Sequence, residues 1–157
     1  MVRVGAIDCG TNSIRLLIAD VQLAEGAAPV VTDVVREMEI VRLGYGVDRT
    51  GTIDPAAMQR TLTVADRYAR TCEELGCEGV RFTATSASRD ASNAAEFIDG
   101  VRAAFSHFGI APEVISGLEE AELSFTGATG DVVAAGYPRP YLVCDIGGGS
   151  TELVRGE

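Results

Sequence analysis

Asp8-Cys9-Gly10-Thr11-Asn12-Ser13-Ile14-Arg15-Leu16 and Asp145-Ile146-Gly147-Gly148-Gly149-Ser150-Thr151-Glu152-Leu153 carry one pattern twice, 137 positions apart. Aspartate, glycine, serine and leucine recur at the same four places. Each copy follows an apolar, strand-like run (residues 2–8 and 141–145) and leads into another. Small polar turns are the ordinary chemistry of hairpins, but two copies with the same aspartate at the same strand end are more than a turn needs. Glycine lets the backbone approach an anion, and successive N–H groups from Gly10, Thr11, Asn12 and Ser13, or from Gly147, Gly148, Gly149 and Ser150, can point into one concavity. Ser13 and Ser150 each add a hydroxyl. Two such hairpins facing each other would grip neighbouring phosphates, with Asp8 and Asp145 placed to hold a hydrated Mg²⁺.

Working outward, residues 14–21 read as a strand with Ile14, Leu16 and Ile18 on one face, and a third strand is expected within 30–43. Gly44, Gly46 and Gly51 mark an irregular loop. Asp54 before Pro55 opens a helix whose buried stripe is Met58, Leu62, Ala65, Ala69 and Cys72, ending at Gly76. Residues 80–84 read as a strand. Asn93 with Glu96 has the spacing of a capping box for a helix with Phe97, Ile98, Val101, Ala104, Phe105 and Phe108 inside, closed by Gly109. After a short strand at 112–115, Ser116 with Glu119 is a second such box, opening a helix with Leu118, Ala121 and Phe125 on one side. Residues 130–140, rich in Gly and Pro, read as a connection to a buried strand at 141–145. Hairpins first and βα units later predict an α/β layer fold with a mixed sheet.

The 157 residues are 46% hydrophobic and 23% charged, and 13 basic against 23 acidic residues leave a net charge of −10. Such a chain does not bind nucleic acid by bulk attraction, so a phosphorylated ligand needs a local site of neutral donors. No apolar run approaches the ~20 residues of a membrane span, and the start leads straight into a strand pattern, which predicts a cytoplasmic protein with no membrane partner. Cys9, Cys72, Cys77 and Cys144 lie in apolar stretches and are expected as buried reduced thiols; zinc at Cys72-x4-Cys77 lacks a second ligand pair. His107, the one histidine, reads as helix surface.

The two loops resemble the phosphate-binding hairpins of the acetate and sugar kinase, heat-shock chaperone and actin superfamily. Within it they resemble the exopolyphosphatase and guanosine pentaphosphate phosphohydrolase (Ppx/GppA) family. Arg42-Leu43-Gly44 followed by Gly46-Val47-Asp48, Ala84-Thr85-Ser86 running to Arg89 and Asn93, and Ile115-Ser116-Gly117-Leu118-Glu119-Glu120-Ala121 extend the similarity over almost the whole chain in the family's order. The resemblance implies a ribonuclease H-like (actin-like ATPase) domain at 1–128, with residues 129–157 as the connection and first hairpin of a second, similar domain. It also implies that the chain is a piece of a longer enzyme, inactive or weakly active alone. The unpaired edges of the last hairpin lead us to expect a homodimer or disorder beyond Gly130.

By the same resemblance the activity is Mg²⁺-dependent release of terminal phosphate from polyphosphate, or from guanosine pentaphosphate in the stringent response, by attack of water. Glu120 corresponds to the general base, Arg89 to a phosphate ligand, Asp145 and Asp8 to the metal site, and Glu152 to a residue near the water. Thr151 continues the second phosphate loop. Arg15 follows the first hairpin and is a further phosphate candidate whose face the strand pattern leaves open. Many relatives have arginine where this chain has Glu122. A kinase of the same superfamily and a non-catalytic nucleotide-binding or actin-like assembly module are the competing expectations. Read from local pattern alone, Glu119 caps its helix, Glu120 is a solvated residue, and Arg89 pairs with Asp90 on the surface.

Overall fold

The computed structural model describes residues 1–23 and 29–156. Strands β1 (Val2–Cys9), β2 (Ser13–Gln22) and β3 (Val30–Ile40) form an antiparallel meander. A crossover through the short helix α1 (Val47–Thr50) and the long helix α2 (Pro55–Glu74) brings β4 (Gly79–Ala84) parallel to β1. Helices α3 (Ser86–Asp90) and α4 (Ala94–Ala104) with a 3₁₀ turn (Ser106–Phe108) then return the chain to β5 (Glu113–Val114), parallel to β4. The result is a five-stranded mixed sheet of order β3-β2-β1-β4-β5, as the pattern of hairpins followed by βα units requires. Helix α5 (Gly117–Ala134) leads away to a separate two-stranded hairpin, β6 (Tyr141–Ile146) and β7 (Thr151–Gly156).

The core lies on one face of the large sheet. Strand parity sends Ile7, Cys9, Ile14, Leu16 and Ile18 to that face, against Ala65, Tyr68, Ala69 and Cys72 of α2 and Phe97, Val101 and Phe105 near α4. Phe82 of β4 meets Phe105 edge to face, ring centroids 5.7 Å apart. The two helices pack closely because Gly100 faces Leu62, whose methyl would stand 2.6 Å from any added Cβ. Asp54 caps α2 as expected, accepting from the N–H groups of Ala56 and Ala57 at 3.0 Å. Parity also sends Asp8 to the opposite, open face, where the second sheet lies.

Four local expectations are corrected. Asn93 does not cap α4 with its side chain. Its Oδ1 accepts from Ile53 N–H and its Nδ2 donates to Ile53 O, stitching the α1–α2 loop to α4. Only half of the second capping box forms: Ser116 Oγ accepts from Glu119 N–H at 3.2 Å, while the Glu119 carboxylate takes a hydrogen bond from Arg81 at 2.8 Å. Residues 130–134 are the end of α5 instead of a connection, with Thr129 buried. Leu118, in the first turn of α5, is exposed, while further along the same face Phe125 meets the second sheet and lies against Gly156.

The strand at 141–146 alternates half-buried and exposed residues where a fully buried strand was expected. Two strands backed by one helix have only one covered face, so Leu142, Ile146 and Leu153 are exposed. Cys9, Cys72 and Cys77 are buried free thiols, as anticipated, but Cys144 is on the exposed face. Burial among apolar groups pushes the Cys72 thiol up to about 12, leaving it protonated and unreactive at neutral pH.

Candidate active site

Both hairpin turns are closed by the same hydrogen bond. Gly10 N–H donates to Ser13 O at 2.9 Å, and Gly147 N–H donates to Ser150 O at 3.0 Å. Those two amides are therefore occupied within their turns, which corrects the expectation that every N–H of the loops is available to an anion. The donors left are the later amides and the hydroxyls. The tips meet directly: a Cβ on Gly148 would stand 2.9 Å from Asn12 Cβ, and one on Gly149 would stand 2.6 Å from Thr11 Oγ1 and 2.8 Å from Ser86 Oγ. Glycine is needed here for close approach, since no positive φ occurs at either residue. Thr11 Oγ1 and Ser86 Oγ share a hydrogen bond at 2.6 Å, tying the first tip to the start of α3.

The first tip is braced from behind. Asn12 O accepts from the N–H groups of both Val41 and Arg42, and Thr11 O accepts from Gly44 N–H, all at 2.9 Å. An added Cβ on Gly44 would stand 2.3 Å from Thr11 Cγ2. The Arg42-Leu43-Gly44 stretch thus acts structurally as the clamp of the first hairpin.

Between the hairpins is a cleft of about 240 Å³. Of the residues singled out in the sequence, it is lined by Asp8, Gly10, Thr11, Asn12, Ser13, Arg15, Glu120, Asp145, Gly147, Gly148, Gly149, Ser150 and Glu152. Thr151 and Arg89 are not among its walls. The strand register sets the charges. Asp8 stands opposite Arg15 across β1–β2, and at the same offset Asp145 stands opposite Glu152 across β6–β7. The first pair is an ion pair at 3.6 Å between half-exposed groups; the second is two carboxylates.

Helix α5 supplies the third wall. Glu120 and Ser124, one turn apart, point the same way, and Ser124 Oγ donates to Asp145 Oδ2 at 2.7 Å. Ser124 escaped the sequence reading; its i+4 spacing from Glu120 was the available signal. Glu120 is not a solvated residue. Its Oε2 accepts from Arg89 Nη1 at 2.9 Å, both side chains being three-quarters or more buried. The same Nη1 donates to Ile115 O at 2.8 Å. Arg89 therefore pairs with Glu120, in place of the surface pair with Asp90. Glu122 is exposed on the outer side of α5.

Burial holds the Asp8 carboxyl above the usual carboxylate range, Arg15 opposes the shift, and the negative charges of Glu120 and Asp145 add to it. Among the described residues no three metal-ligating side chains converge on one point. The donor set is nevertheless suited to Mg²⁺, which keeps most of its waters and takes one or two carboxylates together with ligand oxygens. The mutual repulsion recorded at Asp8 is the kind a cation in the cleft relieves.

The profile of the Ppx/GppA phosphatase family matches residues 19–157. Exopolyphosphatase 2 of Mycobacterium tuberculosis is 53% identical over all of this chain and 49% of its own length. The crystal structure of an exopolyphosphatase-like protein superposes with a TM-score of 0.86 at 46% identity, covering 99% of this chain and 45% of that one. The PPX-GPPA enzyme of Aquifex aeolicus gives a TM-score of 0.80 at 32% identity, over 99% of this chain and 48% of that one. The chain spans about half the length of the relatives it matches.

Proposed function

The chain belongs to the Ppx/GppA phosphatase family, and from that premise we propose that it forms half of a magnesium-assisted exopolyphosphatase releasing terminal orthophosphate from inorganic polyphosphate. The observation that carries this reading is the pair of matching hairpins opposed across one cleft with the Glu120 carboxylate in its wall. Neutral amides and hydroxyls bind a polyanion without the bulk positive charge this protein lacks.

In the proposed reaction the amides and hydroxyls of Thr11, Asn12 and Ser13 on one side, and of Gly148, Gly149 and Ser150 on the other, hold the terminal and preceding phosphates. Asp145, oriented by Ser124, would hold Mg²⁺ with Asp8 and Glu152 beside it. Bound there, the ion would neutralise charge on the phosphate oxygens. Glu120 accepts a proton from water as the water oxygen bonds to the terminal phosphorus, the bridging P–O bond breaks, and the shortened chain leaves with its charge. Arg89, hydrogen-bonded to Glu120 Oε2, holds that carboxylate aimed, which makes it a positioning residue. Arg15, exposed and only loosely tied to Asp8, is free to turn to a phosphate oxygen.

The test is orthophosphate release from long polyphosphate, tripolyphosphate, guanosine pentaphosphate and ATP with Mg²⁺, measured on the protein at the full length of its relatives. Polyphosphate is the expected substrate, and Glu120→Gln should lower its turnover by about 10²- to 10⁴-fold, the usual contribution of a general base. Unchanged turnover in that variant removes Glu120 from the mechanism.

A further inference from the structure

A second groove, of about 460 Å³, begins where the cleft's walls end. It shares Thr11, Asn12 and Gly148 with the cleft and continues along Arg42, Gly44 and Tyr45. Arg42 is the one non-glycine residue at positive φ among the described residues, at +52°, a conformation that costs of order 1 kcal/mol or more and persists only when its surroundings impose it. What imposes it is the first hairpin, whose Asn12 carbonyl takes both the Val41 and the Arg42 amide. The backbone of the phosphate-binding tip thus fixes where the Arg42 side chain starts.

The charge on this groove is unusual for the molecule. All 13 basic residues are arginine, and eight of them, including Arg15 and Arg89 at the cleft, form ion pairs with carboxylates. Arg42 and Arg49 have no ion-pair partner among the described residues. Arg49 Nη2 lies 3.9 Å from where a Cβ on Gly46 would stand, and Gly46 is part of the groove wall. Two uncommitted guanidiniums therefore flank one groove in a chain of net charge −10, beside the tips that would hold the end of a phosphate chain.

We infer that this groove carries the phosphates behind the terminal pair, with Arg42 as the residue that distinguishes a long polyphosphate from a short one. The inference rests on the reading of the cleft as the phosphate-terminus site. Guanidinium suits the task because it stays charged and donates in two prongs to phosphate oxygens.

The test is calorimetric binding to the 157-residue chain of long-chain polyphosphate, tripolyphosphate and guanosine pentaphosphate, in Mg²⁺ at fixed ionic strength. Arg42→Gly removes the side chain while accepting the positive φ, so the fold is kept. Losing one exposed charge-assisted contact should weaken long polyphosphate about 5- to 10-fold more than tripolyphosphate, with partial recovery in Arg42→Lys and a further loss on adding Arg49→Ala. Equal effects on long and short chains overturn the inference and leave the cleft reading intact. A loss confined to guanosine pentaphosphate also overturns it, making the groove a nucleoside subsite beside Tyr45. Failure of the unaltered chain to bind either polyphosphate overturns both readings together.

Discussion

The two hairpins share a turn, a hydrogen bond and four residue identities, yet they are built into different surroundings. Around Asp8 the hairpin is the centre of a five-stranded sheet, and Leu16 is 1% exposed beneath two helices. Around Asp145 it is a free-standing pair of strands leaning on α5, and the corresponding Leu153 is 69% exposed. The cross-strand charges differ too: aspartate faces arginine in the first and glutamate in the second. The comparison teaches that the shared pattern specifies the loop, while burial and charge are set by what each loop is packed against. The first hairpin is a rigid anvil. The second brings acid to it.

The sharpest way to break that comparison is to make the same substitution at the matched leucines. Leu16→Ala should destabilise the chain by about 2–5 kcal/mol in urea unfolding, whereas Leu153→Ala should change it by less than about 0.5 kcal/mol. Similar losses at the two sites would mean that the second hairpin has a buried face in solution. The next effect concerns the tips. Gly149→Ala drives a Cβ to 2.6 Å from Thr11 Oγ1 and should cost about 1–3 kcal/mol by overpacking, together with the Thr11–Ser86 hydrogen bond. In the first hairpin Gly10→Ala meets nothing nearer than 3.5 Å and should be tolerated in the same thermal melt.

The smallest effect tests the electrostatics. Because Asp8 titrates above its unfolded value, the folded state binds its proton more tightly. Stability contributed by that proton is present in acid and is lost as pH rises from the ordinary carboxylate range through the folded value. Asp8→Asn should therefore flatten the stability profile over that window and make the chain slightly more stable than the parent at neutral pH, read from melting temperature against pH without divalent ions. A profile identical to the parent's would show that Asp8 is not held in a repulsive cleft.

Much of the scaffold was legible because it is local. Asp54-Pro55 starts α2 with no help from elsewhere, and the 3.6-residue stripes of α2 and α4 are the faces that pack. Where the reading failed, a distant group had outcompeted a near one: Ile53 took the Asn93 amide, Arg81 took Glu119, and the second sheet lengthened α5 past Gly130. At the site the hairpin residues were legible in the turn pattern itself, and Glu120 only through the family resemblance, since its local pattern reads as solvated. The partners that orient them, Ser124 on Asp145 and Arg89 on Glu120, were not, because each pair joins elements that approach only after folding.

The sequence by itself determined the two loops, their aspartates at strand ends and the alternation that turns Asp8 away from the core, since turn chemistry and a period of two act between neighbours. Only the tertiary structure decided that loops 137 residues apart touch tip to tip, that one carries a charge pair and the other two acids, and that a largely covered arginine pairs with Glu120. Those are matters of distance across the fold, and distance of that kind follows from how sheets and α5 pack, which no stretch of neighbouring residues encodes.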